Sequence, residues 1–284
     1  MNVEIICPLY NAECYIKELD ESLKKQEDVK IQKISYILTK SKDNTEQILK
    51  NISAQYSIIE QKEFSHSLSR EKVAMNSEAD IIVFVTQDVE IKDSKWLVNL
   101  IKPIKNGEAE ASFSRQLTKY DNIEKYTRER NYPEISYVVS KDDLKEKGLQ
   151  AFFFSDASSA IKADVFKKLN GYDNKNLPTN EDMYIAYKLI TNGYKIKYCA
   201  DSVVYHSHKF SLKQLYKRYY DTGIFFKQNR FLDKYGTNKA GGGMAIYILK
   251  RAIKDKNINV LLEFFPNMVA RFVGMKMGKI NGRK

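Results

Sequence analysis

Several classes of protein are set aside by what this sequence lacks. Of its 284 residues only three are cysteine (Cys7, Cys14 and Cys199), and no two of them form a C-x-x-C pair. So sparse and odd a set argues against a disulfide framework and fits reduced thiols in a cytoplasmic setting. No uninterrupted apolar run approaches the roughly 20 residues that span a bilayer. The opening Met1-Asn2-Val3-Glu4 lacks the basic segment of a secretory leader. Internal repeats and low-complexity tracts are absent. So are helix-turn-helix, RNP-like and zinc-finger patterns, and no nucleic-acid partner is expected despite a net charge of +11.

What is present is a 43% hydrophobic complement, enough for a sizeable core, and an uneven charge. From His206 onward there are 17 Lys+Arg against 4 Asp+Glu, whereas the chain before it carries 30 against 32. A near-neutral body with a basic tail suggests that the tail meets an anionic surface.

The chain is organised around Asp80-Ile81-Ile82-Val83-Phe84-Val85-Thr86-Gln87-Asp88. Its continuous apolar run predicts a strand buried on both faces, as in a parallel sheet under helices. Thr86, Gln87 and Asp88 emerge at its carboxyl end, the edge where open α/β sheets bind ligands. Asp88 there either caps the next turn or holds Mg²⁺ or Mn²⁺ against a phosphate.

Around it, strands are expected at Val3–Pro8, Lys33–Leu38 and Tyr56–Ile59, with the first ended by the proline. Helices alternate with them: one capped by Asn11, one opened by an Asp43–Glu46 capping box, and one over Ser69–Ala79. The alternation predicts βαβ units and a doubly wound, mostly parallel α/β sheet. Trp96, Leu97, Leu100, Ile101 and Ile104 fall at helical spacing and read as core. The pattern loosens from Ala109 to Lys147, which reads as an inserted or edge region. Ala151–Ser155, Ser158–Ile161, Tyr194–Cys199 and Val203–Tyr205 read as strands, and Asn180 as the cap of a helix over Glu181–Asn192.

Four polar clusters stand at these strand ends and helix starts: Pro8-Leu9-Tyr10-Asn11, Thr86-Gln87-Asp88, Asn180-Glu181-Asp182 and His206-Ser207-His208. From residue types alone the acids at 181 and 182 equally suit a helix dipole, and His206 a structural role. In this order and spacing the clusters resemble the family-2 glycosyltransferases of GT-A fold, over Val3 to Phe226. The bacterial rhamnosyltransferase-like branch is the nearest in pattern. Phe64-Ser65-His66-Ser67-Leu68-Ser69-Arg70 is similar to its F-x-H-x-x-x-R segment, Thr86-Gln87-Asp88 to its T-Q-D metal motif, and His206-Ser207-His208 to its H-S-H segment.

That resemblance implies a metal-dependent, inverting transfer of a sugar such as rhamnose from a nucleotide-sugar donor to a glycan or lipid-linked acceptor, in surface-polysaccharide synthesis. Other donor sugars (glucose, galactose, N-acetylhexosamine) and a non-catalytic glycan- or nucleic-acid-binding role are the alternatives. It implies Asp88 and His206 as ligands of a divalent cation (Mg²⁺ or Mn²⁺), and His208 as a supporting or phosphate contact. Asp182 is then the base and Glu181 its orienting partner. Donor contacts fall on Pro8, Tyr10, Asn11, Thr39, Asp43, His66, Arg70 and Gln87. Two departures stand out. Leu38-Thr39-Lys40-Ser41 lacks the acid that relatives often carry at the end of the second strand, so Thr39 would contact the nucleoside by its hydroxyl. Thr86 replaces the first acid of D-x-D, leaving one carboxylate on the metal.

Residues 1–210 are expected to form the catalytic domain and 211–284 a basic helical region. In that region apolar residues such as Leu212, Leu215, Tyr219 and Phe226 interleave with Lys213, Lys217, Arg218 and Arg230. Such helices either pack on the body or lie in a membrane interface. A peripheral location at the inner face of the cell membrane is the corresponding expectation.

Overall fold

The computed structural model describes residues 1–282, with the side chains of all but 237–241 among them. β1 (Asn2–Leu9), α1 (Ile16–Lys24), β2 (Lys30–Thr39), α2 (Thr45–Asn51), β3 (Tyr56–Ile59), α3 (Leu68–Met75) and β4 (Ile81–Val85) alternate along the first part of the chain. They are followed by β5 (Val89–Glu90), α4 (Trp96–Lys105), β6 (Ala111–Leu117), α5 (Ile123–Asn131), β7 (Tyr137–Val139), α6 (Leu144–Lys147) and β8 (Ser158–Lys162). Next come α7 (Ala163–Lys168), α8 (Glu181–Thr191) and β9 (Ile196–His206). A helical layer of α9 (Leu212–Gln228), α10 (Thr237–Lys254) and α11 (Ile258–Asn281) ends the chain.

All the strands join one sheet of order β3-β2-β1-β4-β8-β6-β9-β5, with β7 also pairing β9. β1 to β4 are mutually parallel, β8 runs antiparallel to both β4 and β6, and β9 is parallel to β6. Two reversals restore the original sense. The carboxyl ends of β1, β2, β4, β6 and β9 therefore lie along one edge, and that edge positions the site.

β4 is buried at every position. Ile81, Val83 and Val85 face α1 and α4 beside Val3, Ile5 and Cys7, whereas Ile82 and Phe84 face Phe166 of α7 and Ile185 of α8. That alternation is the period-2 pleat of a strand covered on both sides. The residues expected to form the core of α4 are all fully or nearly fully buried.

Several local expectations are corrected. β1 continues through Pro8 to Leu9; its ladder with β4 stops at Ile6, so the proline interrupts no pairing on that side. β6 lies inside the sheet, between β8 and β9, and is not an edge insertion. Its buried Ser112 and Ser114 hide the apolar pattern because their hydroxyls are satisfied internally, Ser112 donating to the Leu100 carbonyl at 2.6 Å. Ala151–Ser155 is no strand: a 3₁₀ turn over Gly148–Phe152 leads into irregular chain whose phenylalanines enter the core. The two segments expected between Tyr194 and Tyr205 are one strand, β9, bulged where Cys199 pairs Ser114 and Val203 pairs Arg115.

Asn11 caps no helix; it takes a left-handed turn (φ 49°) before α1, which asparagine tolerates better than most residues. Asp43 does not form a box with Glu46. It instead ties the start of α2 to the turn that precedes α1, accepting from the Thr45 hydroxyl at 2.7 Å and the Glu13 amide at 3.1 Å. Asn180 holds the N-cap position of α8 with left-handed backbone (φ 60°), but its side chain makes no capping bond.

In the C-terminal layer α10 packs through Ile248 and Ala252 on Ile123 and Tyr126 of α5, with Val260 of α11 beside them. α11 lies along α9 at backbone distance, made possible by Gly223, Gly274 and Gly278. A Cβ on Gly274 would stand 2.5 Å from the Tyr216 carbonyl oxygen, and one on Gly278 would collide with the Tyr220 carbonyl. Gly278→Ala is accordingly expected to lower stability by about 2 kcal/mol in urea unfolding. Gly242→Ala, where the added methyl meets open space, should be neutral or slightly stabilising.

Candidate active site

A cleft of about 650 Å³ opens at the carboxyl edge of β1, β2 and β4. Of the residues singled out in the sequence, Pro8, Tyr10, Thr39, His66, Arg70, Gln87, Asp88, Glu181, Asp182, His206 and His208 line it. Asn11 and Asp43 do not; they shape the turn and the helix start behind it.

Asp88 meets His206 because β5 begins one residue after Asp88 and pairs antiparallel with the end of β9, Val89 opposite His206. His206 Nε2 stands 3.5 Å from Asp88 Oδ1, and His208 Nδ1 stands 3.7 Å from Oδ2. Burial, aided by the neighbouring cations, lowers the basicity of both rings; for His208 burial and His206 bring the pKa down to about 3. The rings are neutral, so these approaches are not ion pairs. Burial alone would raise the Asp88 pKa, but the polar surroundings supplied by His206, His208 and Thr86 outweigh it and hold the carboxyl well below its usual range. The result is an anion and two lone-pair nitrogens whose ligand atoms all lie within 4.8 Å of one another. One carboxylate oxygen and two imidazole nitrogens fit a divalent transition metal such as Mn²⁺ better than Mg²⁺, which prefers oxygen.

The tautomer of His206 follows from its neighbour. The Gln116 amide donates to the Ser155 hydroxyl at 2.8 Å, which turns its Oε1 toward His206 Nδ1 at 2.9 Å. Arg128 donates to the same oxygen. Nδ1 therefore carries the proton and Nε2 is left with its lone pair toward Asp88. Neither Gln116 nor Arg128 was singled out in the sequence. Both come from the stretch that reads as an edge insertion, and nothing in its spacing marks them.

Gln87 acts as a staple, accepting from the Tyr10 amide at 2.7 Å and donating to its carbonyl at 2.9 Å. The Tyr10 ring stays 45% exposed at the mouth of the cleft, available for stacking. The Thr39 hydroxyl and Asn180 Oδ1 are buried without a partner, the condition of groups awaiting a ligand. Arg70 is not a solvated arginine. It is buried, donating to Glu181 at 3.3 Å and to the His66 carbonyl at 2.8 Å.

Asp182 turns one edge into the cleft, its Oδ1 accepting from the Met183 amide at 2.7 Å. Burial, then the charges of Glu181 and Asp156, push its carboxyl well above the ordinary range. Asp156, on the cleft floor, accepts from Tyr172 at 2.7 Å and Ser159 at 2.8 Å; burial raises it to about 6.

A second lobe of about 290 Å³ adjoins the first. Tyr132, Phe152, Phe153, Phe154, Phe210 and Tyr219 line it with Arg128, Arg218 and Arg271, while Asn180, Asp182, His206, His208 and Arg218 belong to both lobes. Arg218, read in the sequence only as part of the basic tail, thus stands between the lobes.

The model of the family described as Glycosyl transferase family 2 matches residues 4–170. The chain is 32% identical to the O-antigen chain rhamnosyltransferase RfbN of Salmonella typhimurium, the match covering 98% of this chain and 90% of that protein. It is 31% identical to the O-antigen chain rhamnosyltransferase WbaN of Salmonella anatum, over 97% and 88%. Among solved structures, the mannosyltransferase PcManGT of Pyrobaculum calidifontis, in complex with GDP-Man and Mn²⁺, superposes with TM-score 0.64 at 13% identity, over 98% of this chain and 86% of that one. S. aureus TarS 1–349 in complex with UDP-GlcNAc gives TM-score 0.56 at 16% identity, over 99% and 93%. At such identity these two show a shared fold.

Gln116→Leu removes the acceptor that holds the His206 tautomer. It is expected to weaken Mn²⁺ affinity by roughly 10- to 100-fold, read by isothermal titration in the presence of a nucleoside diphosphate, with thermal unfolding little changed.

Proposed function

The chain belongs to glycosyl transferase family 2, and from that premise we propose that it transfers rhamnose, with inversion, from a nucleoside-diphosphate donor to a glycan or lipid-linked acceptor of a bacterial surface polysaccharide. The observation that carries this reading is the place of Asp182 in the wall shared by the two lobes. A base that serves acceptor and donor together must stand there.

The lobe beside β1, β2 and β4 takes the donor. Tyr10, held by Gln87, stacks on the nucleobase, the Thr39 hydroxyl contacts the nucleoside, and Pro8 and His66 border it. Asp88, His206 and His208 would hold a divalent cation, Mn²⁺ in preference to Mg²⁺, which when bound would supply Lewis-acid neutralisation of the leaving diphosphate. The aromatic lobe takes the acceptor, since sugar faces pack on aromatic rings. Asp182 removes the proton of the attacking hydroxyl as it approaches from the side opposite the diphosphate, a displacement that inverts the anomeric carbon. Arg70 fixes Glu181 through their 3.3 Å contact, and Glu181 orients Asp182 and the acceptor. Residues 1–210 form the main catalytic part in this reading, and Arg218, Tyr219 and Arg271 of the following helices complete the acceptor lobe. The helices after 211 associate with the cytoplasmic face of the cell membrane.

Product analysis with nucleotide-activated rhamnose, glucose, galactose and N-acetylhexosamine tests the assignment. Transfer of rhamnose with inverted configuration supports it; another sugar, or retained configuration, overturns that part of it.

Asp182→Asn should lower turnover by roughly 100-fold or more while donor binding persists. Because the base must be deprotonated and its pKa is raised, the acidic limb of the wild-type rate profile should lie above the usual carboxylate value of about 4, and the variant should lose that limb. A pKa higher folded than unfolded means that stability is lost as pH rises from about 4 through the folded value. The variant should therefore be more stable than wild type at neutral pH, by roughly 1 kcal/mol in urea unfolding.

A further inference from the structure

The C-terminal layer presents an apolar face that nothing among the described residues covers. On α11, Ile258, Leu262, Phe265, Val269, Phe272 and Ile280 are each 43–75% exposed. Their spacing puts them in one stripe along the helix. The opposite side of α11 is committed to the protein. Gly274 and Gly278 seat it on α9, and Arg271 donates to the Tyr219 hydroxyl at 2.7 Å and to Glu124 at 3.2 Å while lining the acceptor lobe.

By length and composition alone, with 24 residues and a mean hydropathy of 1.2 over its most apolar window, α11 could cross a membrane. Its inner face argues against that. Arg271 and the buried Asn267 are bonded to each other, and Arg271 to α9 and α5. Immersing that face in hydrocarbon would strand those polar groups. A helix with a fixed polar side and a free apolar side lies flat in an interface.

The charge around the stripe selects the occupant. A second copy of the chain would bring the same surface against itself. Lys276 stands exposed within the stripe, and Lys250, Lys254 and Lys256 are exposed on and just after α10. The chain from His206 onward carries 17 basic residues against 4 acidic ones. Self-pairing would oppose like charges across an apolar seam. Anionic headgroups complement the lysines while the acyl region receives the phenylalanines.

We propose that the outer face of α11 docks flat on an anionic lipid surface, so that the acceptor lobe, walled by the inner face of the same helix, opens beside that surface. The docking stands on the stripe and its charge. The delivery of a lipid-linked acceptor to the lobe rests in addition on the functional reading above.

The test is co-sedimentation of the full chain, and of a Phe265→Ser/Phe272→Ser variant, with vesicles of phosphatidylcholine alone or mixed with phosphatidylglycerol. Sedimentation of both proteins without lipid and Mn²⁺-dependent donor binding are measured on the same samples. Wild type should bind the mixed vesicles, less as salt rises, and the variant roughly tenfold less or weaker still, with donor binding unchanged. Absence of wild-type binding, or equal binding by both proteins, overturns the proposal. So does a dimer that the substitutions dissociate, which would assign the face to a second copy. Absence of wild-type vesicle binding with donor binding intact counts against the docking alone; vesicle binding by a wild-type protein that binds no nucleotide sugar counts against the transferase reading alone.

Discussion

The short ladder between β5 and β9 is the contact on which the proposed chemistry depends. Two residue pairs, Val89 with His206 and Glu90 with Tyr205, bring the end of β4 to the end of β9. Asp88 and His206 then face each other without either strand being displaced. The bulge in β9 contributes to this. Between its pairings with Ser114 and Arg115, β9 carries three residues more than β6. An odd insertion changes which side chains point to which face. The bulge is pinned by buried hydroxyls: Ser202 donates to the Trp96 carbonyl at 3.0 Å and bonds Ser114 at 2.8 Å, and the Trp96 indole donates to Ser114 and Ser158 at 3.1 Å. Core packing below the sheet thus fixes the orientation of the proposed metal ligand at its edge.

The site also separates its charges into two environments. Around Asp88 the partners are neutral imidazoles, and the carboxylate stays ionised. Around Asp182 the neighbours are Glu181 and Asp156, and burial adds to their repulsion, so this carboxyl holds its proton more tightly. Two acids pushed in opposite directions suit two roles, one holding a cation and the other taking up a proton. Arg70, buried against Glu181, keeps the acidic cluster from becoming untenable.

Much of this was legible in the sequence for physical reasons. A strand buried on both faces leaves an unbroken apolar run, so β4 could be placed from Ile81 to Val85, and the polar residues after it marked the ligand edge. α4 announced itself by its apolar spacing. Asn11 was legible as a special position but not as the right kind, because asparagine serves both helix caps and left-handed turns; Asn180 stands at the expected N-cap position, but with left-handed backbone and no side-chain capping bond. β6 was missed because its interior is built on serine hydroxyls, which look polar in sequence and are satisfied only once the sheet has formed. Gln116, Arg128 and Arg218 reach the site through tertiary contacts, and local spacing carries no trace of such contacts. The charge asymmetry of the tail was plain, but not which side of α11 would be free; the close glycine contacts with α9 decide that.

The most direct test of the account is diffraction from crystals soaked with Mn²⁺ and a nucleoside diphosphate, recorded at the manganese edge. The account predicts an anomalous peak within bonding distance of Asp88, His206 and His208, with the diphosphate on its open side and the nucleoside running toward Thr39 and Tyr10. A peak elsewhere, or a diphosphate bound in the cleft with no metal between it and Asp88, would contradict it.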